Sequence, residues 1–102
     1  MACRVFPAAT VAVPTVPLPA DQVLAGVDGL EVGVWEHTAG SSTDVEVDEV
    51  FVVLRGRATI EVEGGPELQV GPGDLGLLEA GSRTRWHVHE PLRKVYVAAA
   101  GD

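Results

Sequence analysis

From Leu30 onward the chain alternates apolar and polar residues in short β-branched runs separated by glycine-rich turns, the pattern of an all-β sandwich or barrel. It predicts strands over Leu30 to His37, Glu46 to Arg55, Arg57 to Glu63, Pro66 to Val70, Leu75 to Leu78, Thr84 to His89 and Arg93 to Ala98. Glu63-Gly64-Gly65-Pro66 and Gly71-Pro72-Gly73-Asp74 read as tight reversals, because glycine accepts positive φ and proline presets a turn. No segment carries the period of a long helix.

Before Leu30 the pattern changes. Residues 1 to 20 are apolar but punctuated by prolines, each of which removes a backbone donor and fixes φ, so only extended, edge-strand or loop structure is expected. Burying a large apolar side chain gains about 1.5 to 3 kcal/mol. Val11, Val13, Val16 and Leu18 therefore call for a surface, either the chain's own barrel or a partner's, and the arm reads as an element of a homodimer. Asp21 to Gly26 reads as one helical turn, with Asp21 capping free amides and Gly26 ending it. The organisation expected is one domain: arm and short turn over 1–29, barrel over 30–102.

Composition narrows the partners more than the chemistry. A chain of 102 residues with 46% hydrophobic content holds one compact core. Fifteen acidic residues against seven basic ones give a net charge of −8, which argues against nucleic acid and anionic membrane, both polyanions. The one cysteine, Cys3, has no intramolecular partner and gives no sign of an oxidising compartment, so a cytoplasmic location is the expectation. Val5 to Leu18 is apolar, yet Pro7, Pro14 and Pro17 interrupt it and only Arg4 precedes it, which is neither a signal-peptide core nor a membrane span of ~20 residues.

Two spaced motifs stand in the β region. Glu49 precedes Gly56 by six intervening residues, and Gly73-Asp74 is followed after five residues by Glu79-Ala80-Gly81 and, two residues on, Thr84. This frame resembles the two cupin motifs. With Val34-Trp35-Glu36, Gly71 to Asp74, Gly81 to Val88 and Glu90 to Tyr96 in this order, residues 30 to 98 resemble a small, metal-poor cupin family. That group was formerly labelled a domain of unknown function, and it is related to the ethanolamine-utilization cupin and to ureidoglycine aminohydrolases. The resemblance implies an all-β cupin jelly-roll barrel of two antiparallel sheets with an extended N-terminal arm. In many cupins the first motif supplies two His and a Glu and the second a third His. Here Glu49 keeps the Glu position, Ser42, Thr43, Asp44 and Val45 contain no His, and Thr84 stands at the last His position. Glu79 and Val88 depart from the usual proline and asparagine as well.

Glu49 is the leading catalytic candidate. Its motif position points it into a barrel lined by Phe51 and Val53, where a carboxylate must be protonated, paired or hydrogen-bonded, and a raised pKa suits general acid or base work. The competing reading is a structural hydrogen-bond partner within the acidic run Asp44, Glu46, Asp48. Glu36 is in phase with Leu30, Val32 and Val34 and is expected to turn inward with them; the alternative is a strand end in water. Trp86 and Phe51 make either a stacking wall or simple core, with the Thr84 hydroxyl beside them. Tyr96 and Lys94 share a face of the last strand, which supplies a phenol and an ammonium if it turns inward. His87-Val88-His89 invites a metal, but if Thr84 points inward then period 2 sends Trp86 and Val88 inward and Arg85, His87 and His89 outside.

These residues support three readings. The first is a metal-independent, small-molecule-binding cupin of unknown specificity, without cofactor, whose pocket is lined by Glu36, Glu49, Phe51, Thr84, Trp86 and Tyr96. The second is an enzyme using a divalent transition metal held by Glu36, His37, Glu49 and His87, acting on a small nitrogenous metabolite as the aminohydrolase relatives imply. The third is a non-catalytic structural or regulatory dimer with a closed barrel.

Overall fold

A computed structural model of the protein describes residues 3–13 and 19–100. It contains seven strands: β1 (Ala20–Val27), β2 (Leu30–His37), β3 (Gly40–Val45), β4 (Glu49–Val62), β5 (Glu67–Val70), β6 (Leu75–Leu78) and β7 (Arg83–Ala99). There is no helix among the described residues, and so none long and apolar enough to cross a membrane. Pro14, Val16, Pro17 and Leu18 of the expected arm lie outside the described residues.

Every ladder is antiparallel, and the sheet runs β1-β2-β7-β4-β5 with β3 also on β7 and β6 also on β4. Two long strands make the barrel. The last part of β7 pairs with β2 and with the first part of β4, whereas its first part pairs with β3 and with the last part of β4. The crease between these halves falls where the β4/β7 register shifts, between Val53 and Ala58. The two expected sheets are thus halves of one creased ladder, the jelly-roll arrangement. Pro91 sits within β7 at this irregular stretch, where a missing backbone donor is tolerated. Phe51, Val53, Ile60, Trp86, Val88 and Leu92 fill the space between the halves.

Four strands differ from the sequence expectation: β4 and β7 each run unbroken through what reads as two strands, because the irregular stretch at Gly56 and Pro91 shifts the register without ending the pairing, and β1 and β3 are additional. Asp21 to Gly26 is not a helical turn but part of β1, paired with β2. Asp28 (φ 48°) and Gly29 (φ 77°) close a two-residue hairpin between them. Pairing the otherwise open edge of β2 satisfies a row of backbone groups, which a single helical turn cannot do. The sheet therefore starts at Ala20 rather than Leu30. β3 has no apolar alternation to announce it, since Gly-Ser-Ser-Thr-Asp-Val is almost wholly exposed; it forms by pairing with β7.

The described part of the arm lies on its own barrel. Arg93 donates from Nη1 to the carbonyls of Ala8 (3.1 Å) and Val11 (2.8 Å), and from Nε to Glu36 Oε2 (3.0 Å). Val11 and Val13 are half-buried. The arm lies against the outer face of β2 and β7 at this point.

Candidate functional site

The register of β2 against β7 pairs Glu31 with Ala98, Gly33 with Tyr96, Trp35 with Lys94 and His37 with Leu92. Paired residues share a face, and Lys94, Tyr96 and Ala98 are buried in the barrel, so Glu31, Trp35 and His37 face inward with them. Val32, Val34 and Glu36 face outward. This corrects the expected inward Glu36: its carboxylate accepts from Arg93 and Arg55 on the outer face, beside the arm. Val34, on this outer face of β2, is nonetheless fully buried. Gly33 is required by the arrangement, since a Cβ there would run into the Tyr96 hydroxyl.

Lys94 is the centre of the interior. Its ammonium lies 4.7 Å from the Trp35 ring centroid, 4.7 Å from Phe51 and 4.8 Å from Trp86, and it donates to Glu49 Oε2 at 2.5 Å. Three ring faces and a carboxylate surround the ammonium, a cation–π cage closed by a charge-assisted hydrogen bond. Burial pushes the Glu49 carboxyl above its ordinary value; the charge and hydrogen bond of Lys94 pull it down, and Glu46 and Asp44 push it up again, leaving it raised.

Around this pair lies a cavity of about 270 Å³ bounded by Asp21, Glu31, Trp35, Asp44, Glu46, Glu49, Trp86, Lys94 and Tyr96, among others. Tyr96 donates its hydroxyl to Asp21 (2.7 Å), with Glu31 at 3.2 Å; burial first, and then these acceptors, push the phenol well above its usual range. Glu46 accepts from Thr84 Oγ1 (2.6 Å) and from the Trp86 indole N–H (3.2 Å), both on Oε2. Of the residues expected to line a pocket, Glu49, Trp86 and Tyr96 bound the cavity. Phe51 does not line it, its ring packing instead against the Lys94 ammonium; Thr84 is engaged by Glu46, and Glu36 is elsewhere.

The sequence reading left Glu46, Asp21, Glu31 and Trp35 out of the site. Glu46 escapes a period-2 reading because it precedes β4 in a connection tied to Ser82 and Gly81 by backbone hydrogen bonds, which resets its phase relative to Glu49. Asp21 belongs to the strand read as a helical turn. Glu31 and Trp35 follow from the reversed face of β2.

The profile of the EutQ-like cupin domain matches residues 25–96. The chain belongs to the EutQ-like cupin family. A protein of unknown function from Rhizobium leguminosarum bv. viciae superimposes with a TM-score of 0.86 at 26% identity over 99% of this chain and 100% of that one. The Clostridium difficile EutQ protein does so with a TM-score of 0.71 at 22% identity, over 81% of this chain and 68% of that one. A DUF861 family protein from Thermotoga maritima shares 31% identity over 62% of this chain and 73% of its own, with a TM-score of 0.58. No functionally curated protein matches the chain in sequence.

Metal binding in the cupin frame requires converging donors, and these side chains do not make that set. The four residues of the metal reading are split between faces: Glu49 and His37 lie inside, Glu36 and His87 outside. His37 Nδ1 donates to the Thr38 carbonyl (2.5 Å), which only accepts, and Nε2 is hydrogen-bonded to the Ser42 hydroxyl (2.9 Å). Both ring nitrogens are thus engaged. His87 bridges Ser41 (2.9 Å) and Glu61 (2.8 Å) on the outer face, and its hydrogen bond lowers the pKa of Glu61. Glu49 already holds a cation, Lys94. No group of three or more His, Cys, Asp or Glu among the described residues converges on one point as metal ligands.

Proposed function

We propose that this EutQ-like cupin is a metal-independent, small-molecule-binding protein whose pocket is organised by the Glu49–Lys94 ion pair. The observation that carries the reading is the ammonium of Lys94, set against Glu49 within three aromatic rings beside an open cavity. That fixed ammonium holds the Glu49 carboxylate in place at the cavity wall. The open cavity favours a ligand over the closed barrel of a purely structural dimer. Relatives of the fold include an ectoine synthase and DMSP lyases, so the fold alone selects no chemistry. Elemental analysis of untagged protein purified without chelator tests the reading. A substoichiometric metal content is expected; one equivalent per chain, lost in Glu49→Gln, would overturn it.

A homodimer is part of the same reading. It is supported by an uncharged row on the outer face, where Leu77 of β6 pairs with Val50 of β4 and Val50 with Val97 of β7.

A further inference from the structure

Resting on the pocket reading above, we infer that the ligand is a small organic cation, an alkylammonium or guanidinium, held by Glu46 and its neighbouring carboxylates. The cavity is bounded by five carboxyl groups, Asp21, Glu31, Asp44, Glu46 and Glu49, and by one ammonium. That ammonium is not available to an anion. Lys94 is 4% exposed, its charge faces Glu49, and rings close around it on three sides. An entering anion therefore meets uncompensated carboxylates, whereas a cation meets them as partners.

Glu46 supplies the specific anchor. It is only 8% exposed, yet it borders the cavity, and both of its hydrogen bonds fall on Oε2. Oε1 has no donor among the described residues, and no side-chain oxygen among them is both shut away from solvent and unbonded. This second oxygen is therefore presented to the cavity, on a carboxylate whose direction is set by Thr84 and Trp86. Burial strengthens its attraction for a charged N–H donor. Across the cavity, Asp21 and Glu31 face one Tyr96 hydroxyl, which has a single hydrogen to give. One of the two is left as a free acceptor, a second point for a ligand N–H. Trp35 and Trp86 bound the space between, apolar surfaces for a short alkyl chain.

Both tryptophans of the chain border this cavity, so intrinsic fluorescence reads its occupancy directly. The probes are 1,4-diaminobutane and succinate, a dication and a dianion of the same carbon count. The diamine is expected to shift the fluorescence saturably, and its affinity to fall by about tenfold or more in Glu46→Gln. That substitution keeps an oxygen acceptor for Thr84 and Trp86, and an unchanged melting temperature shows that the fold is intact. Succinate is expected to be silent. Diamine binding that is equal in wild type and Glu46→Gln overturns the inference, because the cation then sits elsewhere. Succinate binding without diamine binding overturns the cation while leaving the pocket standing. Silence from both probes also overturns the cation, and accompanied by one metal equivalent per chain it overturns the metal-independent pocket as well.

Discussion

Lys94 and Glu49 depend on each other more than either depends on the fold. Removing one partner of a buried ion pair costs about 3 to 5 kcal/mol, because the remaining charge is left in a poor solvent. Lys94→Met is therefore expected to destabilise the protein by that order at neutral pH, read by urea unfolding. Lys94→Met combined with Glu49→Gln should recover most of the loss, since no buried charge remains. The pH dependence has a definite sign. The folded-state pKa of Glu49 is raised above 4.5, so the native state binds its proton more tightly than the unfolded chain does. Its contribution is fullest below 4.5 and is lost as pH rises through the folded value. Relative to Glu49→Gln, wild-type stability should decline from acid toward neutral pH. Unfolding curves for both proteins across that range check the slope, and a difference rising with pH contradicts it.

Among the elements, the crease in β4 and β7 is the most exacting. Gly56 has φ 87°, and a Cβ there would collide with the Pro91 carbonyl and the Leu92 backbone. Positive φ alone costs a non-glycine residue about 1 to 3 kcal/mol, so Gly56→Ala should lower unfolding stability by at least about 2 kcal/mol. Gly56 was legible as a motif position, and β2 and β6 were legible to the residue, because alternation and turn residues report local backbone directly. The inward phase of Thr84, Trp86 and Val88 was legible for the same reason. What alternation does not report is which side of a sheet a distant segment covers. β2 has aliphatic residues on one face and Glu31, Trp35 and His37 on the other, and the register with β7, a strand about sixty residues later, puts the second set inside. Glu36 and half of the site followed from that one choice. Arg93→Met removes the guanidinium that ties Glu36 to the Ala8 and Val11 carbonyls. Limited proteolysis should then cut the arm faster than in wild type, while the fluorescence of Trp35 and Trp86 inside the barrel stays unchanged.

For the whole molecule the question is what covers the outer face beyond the arm. Leu75 is 67% exposed, Leu77 72%, Val50 41% and Val97 39%, neighbours across β6, β4 and β7. A sheet apolar on both faces is ordinarily covered on both, and the described part of the arm meets only the Arg93 and Glu36 end. The row itself carries no charge on a chain whose net charge is −8, and Asp48 and Glu79 border it at one end. Contact of the row with the same row of a second copy is self-complementary about a two-fold axis, the commonest closed arrangement for identical chains. Sedimentation velocity is expected to give a dimer for the wild type. Leu77→Lys places an ammonium on the axis-facing row of both copies and should shift the population to monomer with little change in the fold, because Leu77 is mostly exposed within the single chain. A wild type that sediments as a monomer at every concentration would remove the homodimer. It would leave the pocket untouched, since Glu46, Glu49, Lys94 and Tyr96 all come from one chain.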